Sequence, residues 1–411
     1  MTGEFLETLT QWWNTLSVDK VIMLVMMLFA AVGALDRICG NKRGYGAAFE
    51  EGICAMGSLA LAVAAVYAAS PLIAKALTPV VTPLFRAIGA DPGVFPGIVM
   101  ASDMGAYSLS MEMASTEALG NFGGLILGST IGPTWIFTIP VALSLLKKED
   151  RPMLAAGVLC GLMTVPLGCF AGGCLMALTP YGLPVGTILL NLVPVLALSA
   201  VVGAGLWFAP AKTIRVFQAL GKGITAIVTA LTAIAAFEQM TGIWFPVLDA
   251  MATPDAAGLT GLDRGLLLCG QIALVLTGAF PMVKWVSKRF SGALGKAGKR
   301  LGVNAAASAG FLAAAANSIP MFASMKDMDE KGKLLNAAFA VGGAVVLGDF
   351  LGFTAGVNPK MVLPMIGAKL VCGVSAVAVA HWLSPVLLGR IAQSGKGERR
   401  GRKNKVRGKA K

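Results

Sequence analysis

Long apolar runs alternate along the chain with short polar connections. A membrane-spanning helix needs about 20 mostly apolar residues, and runs of that kind fall near residues 18–38, 48–76, 116–146, 150–178, 183–210, 222–245, 264–286, 333–356 and 361–388. Several are long enough to require tilt or a break. Gly132-Pro133 interrupts the third, and Pro364 stands near the start of the last. Two further stretches, 91–115 (DPGVFPGIVMASDMGAYSLSMEMAS) and 302–328 (GVNAAASAGFLAAAANSIPMFASMKDM), are apolar enough for a bilayer yet broken by Pro, Gly and polar groups. Irregular backbone at membrane depth is tolerated only where protein or a watery cavity covers it. Both stretches therefore read as re-entrant hairpins.

Positive charge predicts the orientation, because cytoplasmic connections collect Lys and Arg. Basic clusters follow the first run (Arg37, Lys42, Arg43), the third (Lys147, Lys148, Arg151), the fifth (Lys212, Arg215, Lys222) and the seventh (Lys284, Lys288, Arg289, Lys296, Lys299, Arg300). The last run ends at Arg390 and a basic tail. The turns between are poor in base: 179–184 carries no charge, and 246–263 holds Asp249, Asp255 and Asp263. Nine spans with the N-terminus outside and the C-terminus inside satisfy every cluster.

An internal register accompanies this map. Adding 215 to Tyr107, Glu112, Met113, Leu119, Asn121 and Gly128 gives Phe322, Asp327, Met328, Leu334, Asn336 and Gly343. On the charge map the first hairpin enters from outside and the second from inside. The expected fold is thus an all-α polytopic membrane protein, about nine transmembrane helices plus two re-entrant hairpins in an inverted-topology repeat. Its parts are an interfacial segment at 1–17, a first repeat at 18–178 with hairpin 91–115, and a connector at 179–221. A second repeat at 222–390 with hairpin 302–328 and a basic disordered tail at 391–411 complete it.

Composition agrees: 56% of the 411 residues are hydrophobic and 13% charged, against about 25% charged in soluble domains. Met1–Asp19 holds acids but no Lys or Arg, so a cleavable signal is not expected. Trp12 and Trp13 read as interfacial anchors. The net charge of +13 is concentrated at the end, where nine Lys or Arg fall between Lys396 and Lys411 against one acid, Glu398. Without aromatic interleaving this is no nucleic-acid platform; anionic lipid headgroups suit it better. The seven cysteines fall almost entirely in apolar runs and the single histidine is His381. No metal site or cofactor is expected, and no Walker A, GxSxG or histidine-centred pattern argues for an enzyme.

Ionisable groups inside spans are costly and therefore functional candidates. Asp103 lies in the first hairpin beside Ser102, Asp349 in Leu347-Gly348-Asp349-Phe350-Leu351-Gly352, and Glu238 near the end of the sixth run. These acids lack evident basic partners in the sequence, and a cationic solute is the economical one. The competing reading has each carboxylate hydrogen-bonding backbone at a helix break. Asn121, Asn336, Asn317 and Ser318 could bind a hydroxyl or act as interhelical glue. Tyr107 and Phe322 could face an ammonium or pack in the core. Glu112 and Asp327, at the hairpin exits, read as solvated ends.

At these residues the chain resembles a family, the ethanolamine permeases of bacterial ethanolamine-utilisation systems (EutH family). The resemblance rests on Ser102-Asp103-Met104-Gly105 with Tyr107, on Ala316-Asn317-Ser318-Ile319-Pro320-Met321-Phe322, on Met325-Lys326-Asp327-Met328-Asp329, and on Gly348-Asp349 with Leu351-Gly352-Phe353-Thr354-Ala355. It covers about residues 10–390. The chain departs from the family pattern at Ser318, where Asn is expected, and at Phe350, where His is expected. The resemblance implies a bacterial inner-membrane permease with a cytoplasmic C-terminus that brings in ethanolamine for a cobalamin-dependent lyase. Asp103 and Asp349 would then hold the ammonium, with Asn317, Ser318 and Asn336 on the hydroxyl; a homodimer is a candidate assembly. The rivals are an ion-coupled transporter of another small solute, such as an amino acid or nucleoside, and a membrane scaffold or sensor.

Overall fold

The structure, a computed structural model, describes residues 7, 10, 12–147, 149–245 and 258–409. The expected acidic turn at 246–263 lies mostly outside the described residues, as does most of the 1–17 segment.

The chain is helical from its first run onward. Helix α1 (Val18–Ile38) has Asp19 in its first turn and Arg37 in its last, each complementing the helix dipole. Its turn into α2 (Tyr45–Leu59) is closed by the buried Asp36 carboxylate, which accepts the backbone N–H groups of Arg43, Tyr45 and Gly46 at 2.8–3.1 Å. A π-helical turn, Ala60–Ala64, carries α2 directly into α3 (Ala65–Ala87). The second run was expected to end near residue 76. The helix instead continues through Pro71, Pro79 and Pro83, as spans tolerate when neighbours satisfy the freed backbone groups.

Short helices α4 (Phe95–Val99) and α5 (Ala106–Met113) form the first hairpin segment. The span α6 (Glu117–Leu145) follows, wound in part as π-helix at Phe122–Leu127 and Thr134–Thr138. Then come α7 (Arg151–Leu175), α8 (Val185–Phe208) and α9 (Pro210–Thr241). Helix α10 (Gly261–Leu301) starts at a capping box between Thr260 and Asp263. Its 41 residues run about 60 Å at 1.5 Å per residue. That exceeds the thickness of a bilayer. Helices α11 (Ala305–Ala316) and α12 (Ser318–Ser324) form the second hairpin segment. Helix α13 (Glu330–Gly342), α14 (Asp349–Val357) and α15 (Val362–Lys409) complete the chain.

Eight helices among the described residues are long and apolar enough to cross a membrane. The expected ninth, 333–356, is not one helix: α13 stops at Gly342 and α14 begins at Asp349. A run of apolar residues cannot by itself distinguish a continuous span from two half-helices around unwound backbone. Helix α15 continues to Lys409.

Both hairpin segments return to where they began. Asp91 accepts from the Ser115 hydroxyl at 2.5 Å and from Gly93 N–H at 2.8 Å. Asn304 donates its amide to Asp327 O and its N–H to Asp329 Oδ1, each at 2.9 Å, while capping α11 through Ala307 N–H. A segment crossing the bilayer would separate its ends by about 30 Å; here side chains bridge them.

The helices packed most extensively are α7 with α15 and α10 with α2. A shift of 215 carries α7 onto 366–390 within α15, and the continuous helix 45–87 onto 260–302, the extent of α10. Each of these pairings joins an element to its own counterpart. Helix α6 lies at the centre, with 83% of its span buried in protein, against 11% for α1, whose apolar side faces outward.

Candidate functional site

The two hairpins break at their tips, and each break touches a broken span. In the first, α4 ends at Val99 and the chain turns through Ser102–Met104 before α5. Gly105 takes φ +99°, and a Cβ there would lie 2.0 Å from Val66 Cγ1, so the tip needs glycine for both its backbone and its approach to the first turn of α3. Ser102 donates to Gly124 O at 2.6 Å, fixing the tip against α6. Trp135 reinforces this by donating to Ile98 O at 2.8 Å and stacking on Phe217. At Gly132 a Cβ would stand 1.8 Å from Met100 O. In the second hairpin, α11 and α12 break at Asn317, and the unwound strand 343–348 lies against the tip. Val345 N–H donates to Ala314 O at 2.7 Å and Leu347 N–H to Ala315 O at 2.9 Å. The 215 shift carries Gly132 to Leu347 and Met100 to Ala315, so a close approach of hairpin and span recurs at matching positions, hydrogen-bonded in the second region. Val345 takes φ +58°, costly for a β-branched residue and typical of backbone held by surrounding structure at functional sites.

Asp103 and Asp349 stand on elements that pack together beside these breaks. Asp103 is half-buried, and its Oδ1 is buried with no hydrogen-bond partner. Asp349 opens α14, which packs on the Ser102–Met104 tip, and the two carboxylates lie within electrostatic reach of each other. No described protein group hydrogen-bonds the Asp349 carboxylate, so it does not serve as a backbone cap. Glu51, exposed on α2, lies within reach of Asp349.

The expectation that these acids lack a basic neighbour is corrected. Lys369 of α15 is 1% exposed and lies within electrostatic reach of Asp103. Its ammonium donates to Ser129 O in α6 and stands 4.5 Å from the centre of the Phe350 ring. The signal was present in the sequence, since Lys369 is the one Lys or Arg between Met361 and Gly389, but the apolar run around it concealed it.

The remaining candidates separate. Tyr107 packs edge-on to Phe353 at 6.2 Å, beside α14. Phe322, its counterpart, is fully buried in the core. Ser318 is fully buried with its hydroxyl unpartnered, as is Thr354 in α14, which the sequence reading did not single out. Asn317 is exposed, and its side chain caps α12 through Ile319 N–H. Asn121 accepts from Asn358 at 2.9 Å and donates to Glu117 O. Asn336 donates to Gly332 O and Ala307 O, both at 3.0 Å, tying α13 to the second hairpin. These bonds leave both asparagines acting as interhelical links, with only Asn336 Oδ1 unpartnered. Glu238 is buried near the end of α9 and accepts from Phe245 N–H at 2.9 Å. Its other oxygen, Oε2, is buried without a hydrogen-bond partner. Glu112 and Asp327 are exposed.

A family model described as "Ethanolamine utilisation protein, EutH" matches residues 18–383. A protein of Listeria monocytogenes named "Probable ethanolamine permease EutH" is 46% identical over 369 residues, covering 90% of this chain and 95% of its own. The Salmonella typhimurium protein of the same name is 41% identical over 396 residues, covering 90% and 96%. A Bacillus subtilis relative, "Uncharacterized protein YxeR", is 40% identical over 385 residues, covering 94% and 98%. No solved structure matches the chain. With its array of membrane-length apolar helices and a match of this extent, the chain is a multi-pass membrane protein that belongs to the EutH family.

Proposed function

We propose that this chain takes up ethanolamine as the protonated cation, across the bacterial inner membrane, for ethanolamine catabolism. The observation that carries the reading is the packing of α14, which begins at Asp349, on the hairpin tip that holds Asp103, with the two acids within electrostatic reach and the Asp103 Oδ1 buried and unpartnered. A buried carboxylate without a donor is costly and is relieved by a cation. An ammonium fits the acids, and the buried free hydroxyls of Ser318 and Thr354 suit the alcohol end. The names of the relatives support ethanolamine among small amines.

The two halves, 18–178 and 222–390, act as an inverted repeat in this reading, with a connector at 179–221. The N-terminus is outside and the C-terminus cytoplasmic, its basic segment against anionic lipid. Proteins built from inverted repeats place their solute near the midplane, where broken helices of the two halves meet. The matching closures of hairpin tip on broken span, and the packing of each long helix on its own counterpart, support the arrangement.

The physical need for such a protein follows from the solute. An amine of Lys-like basicity, about 10, is almost wholly charged in acid medium and crosses lipid poorly. Protein-dependent uptake should therefore dominate at low pH, while diffusion of the neutral amine grows as pH rises. The test is uptake of radiolabelled ethanolamine into proteoliposomes of the purified chain, with excess unlabelled ethanolamine, serine or a nucleoside as competitor. Saturable uptake blocked by ethanolamine alone is the expected outcome. Uptake that ethanolamine does not compete with sinks the assignment.

A further inference from the structure

We infer that Lys369 is a built-in counter-cation that sets the charge of the solute the site accepts. This rests on the proposal that Asp103 and Asp349 hold the solute's ammonium. Lys369 sits in a ready-made cation environment: its ammonium donates to Ser129 O and lies 4.5 Å from the centre of the Phe350 ring, and the Asp103 carboxylate, though not in contact with it, is within electrostatic reach. Carbonyl, aromatic face and carboxylate are what an exogenous ammonium seeks. They converge here on a side chain 1% exposed and anchored in α15.

Charge counting gives the consequence. With all three groups ionised, Asp103 and Asp349 together carry two negative charges and Lys369 returns one. The net single charge matches one monovalent cation. Glu51, the other acid within reach of Asp349, is exposed, so water and salt screen its charge. A site of this balance needs no sodium ion beside the solute, because the lysine already holds the second cation's place. Phe350 adjoins Asp349 in sequence, so the ring that seats the lysine and the acid that meets the solute move as one unit. The counterpart of Lys369 in the first half is Leu154; the lysine is therefore an addition to one half of the repeat, as expected of a residue that adjusts charge.

A merely structural lysine, one that satisfies the Ser129 carbonyl at the bend of α6, would predict none of this. The two roles are separated with a pair of competitors of equal length, 3-aminopropan-1-ol as monocation and 1,3-diaminopropane as dication. Each is tested at neutral pH against labelled ethanolamine in sodium-free proteoliposomes. The wild-type protein should work without sodium and prefer the monocation by at least ~10-fold, since an uncompensated charge is a strong element of discrimination. In Lys369→Met the preference should shift toward the dication by ~10-fold or more. Lys369→Gln, which keeps a donor for Ser129 O, should shift the same way. Should neither variant yield folded protein, the wild-type measurements decide. A sodium requirement, or equal competition by the two amines, overturns the inference. So does a folded Lys369→Met or Lys369→Gln that loses activity with its preference unchanged. Wild-type protein that ignores ethanolamine altogether instead removes the ethanolamine assignment on which this rests.

Discussion

The first hairpin brings a carboxylate to its tip where the second brings a hydroxyl. Asp103 falls under the 215 shift on Ser318, while Asp349 falls on Thr134. Each region thus contributes one acid, at positions that are not equivalent. Their backbones differ in the same sense. Helix α6 passes its break by a bend and π-turns, so its backbone groups stay largely bonded within the helix. The second region unwinds over 343–348 and recovers its bonds from the hairpin tip at Ala314 and Ala315. One region places its acid at a hairpin tip beside a largely continuous helix, and the other at the start of a half-helix. An asymmetric solute with an ammonium at one end and a hydroxyl at the other suits a site of unequal halves.

The comparison can be broken by removing its acids. Asp103→Asn and Asp349→Asn should each cut ethanolamine uptake by about 30- to 1,000-fold, the scale of a lost buried charge partner; transport rates in proteoliposomes at fixed protein amount measure this. Moving the acid to its counterpart, Asp103→Ser with Ser318→Asp, should not restore uptake if the halves have lost equivalence. Wild-type rates in that double variant would show the halves to be interchangeable.

The closures should respond unequally. Gly132→Ala drives a Cβ into Met100 O and should cost ~1–3 kcal/mol of stability, the usual cost of overpacking, with reduced uptake. Leu347→Ala, at the matching position, keeps the N–H that bonds Ala315 O and should affect uptake far less. Melting of the detergent-solubilised variants and their uptake rates give both readings. A smaller effect is expected at the asparagines. Asn121→Ala should lower stability by ~1 kcal/mol, a typical hydrogen bond, and leave the KM for ethanolamine within about twofold. A large KM change would return Asn121 to the solute site.

Much of this was legible in the sequence because lipid imposes coarse rules. Spans of about 20 apolar residues, basic clusters on alternate connections and broken segments rich in Gly and Pro follow from hydration of backbone and charge. The motifs around Asp103 and Asp349 were visible for the same reason: acids stand out in apolar runs. The break within 333–356 was not, because Gly342-Gly343-Ala344-Val345 reads as apolar helix and unwinds only through bonds to a hairpin tip distant in sequence. The pairing of Asn121 with Asn358 is likewise a tertiary fact. Lys369 was missed through the weight given to hydropathy over a single charge.

The most direct test of the account is whether the two hairpins face opposite sides of the membrane. Glu112 and Asp327 match under the 215 shift and are both exposed. Glu112→Cys and Asp327→Cys, each in a chain whose seven native cysteines are replaced, should be labelled by an impermeant maleimide from opposite faces. The account predicts that Glu112→Cys reacts from outside intact cells and Asp327→Cys only after access to the cytoplasmic face. Labelling of both from the same side would contradict it.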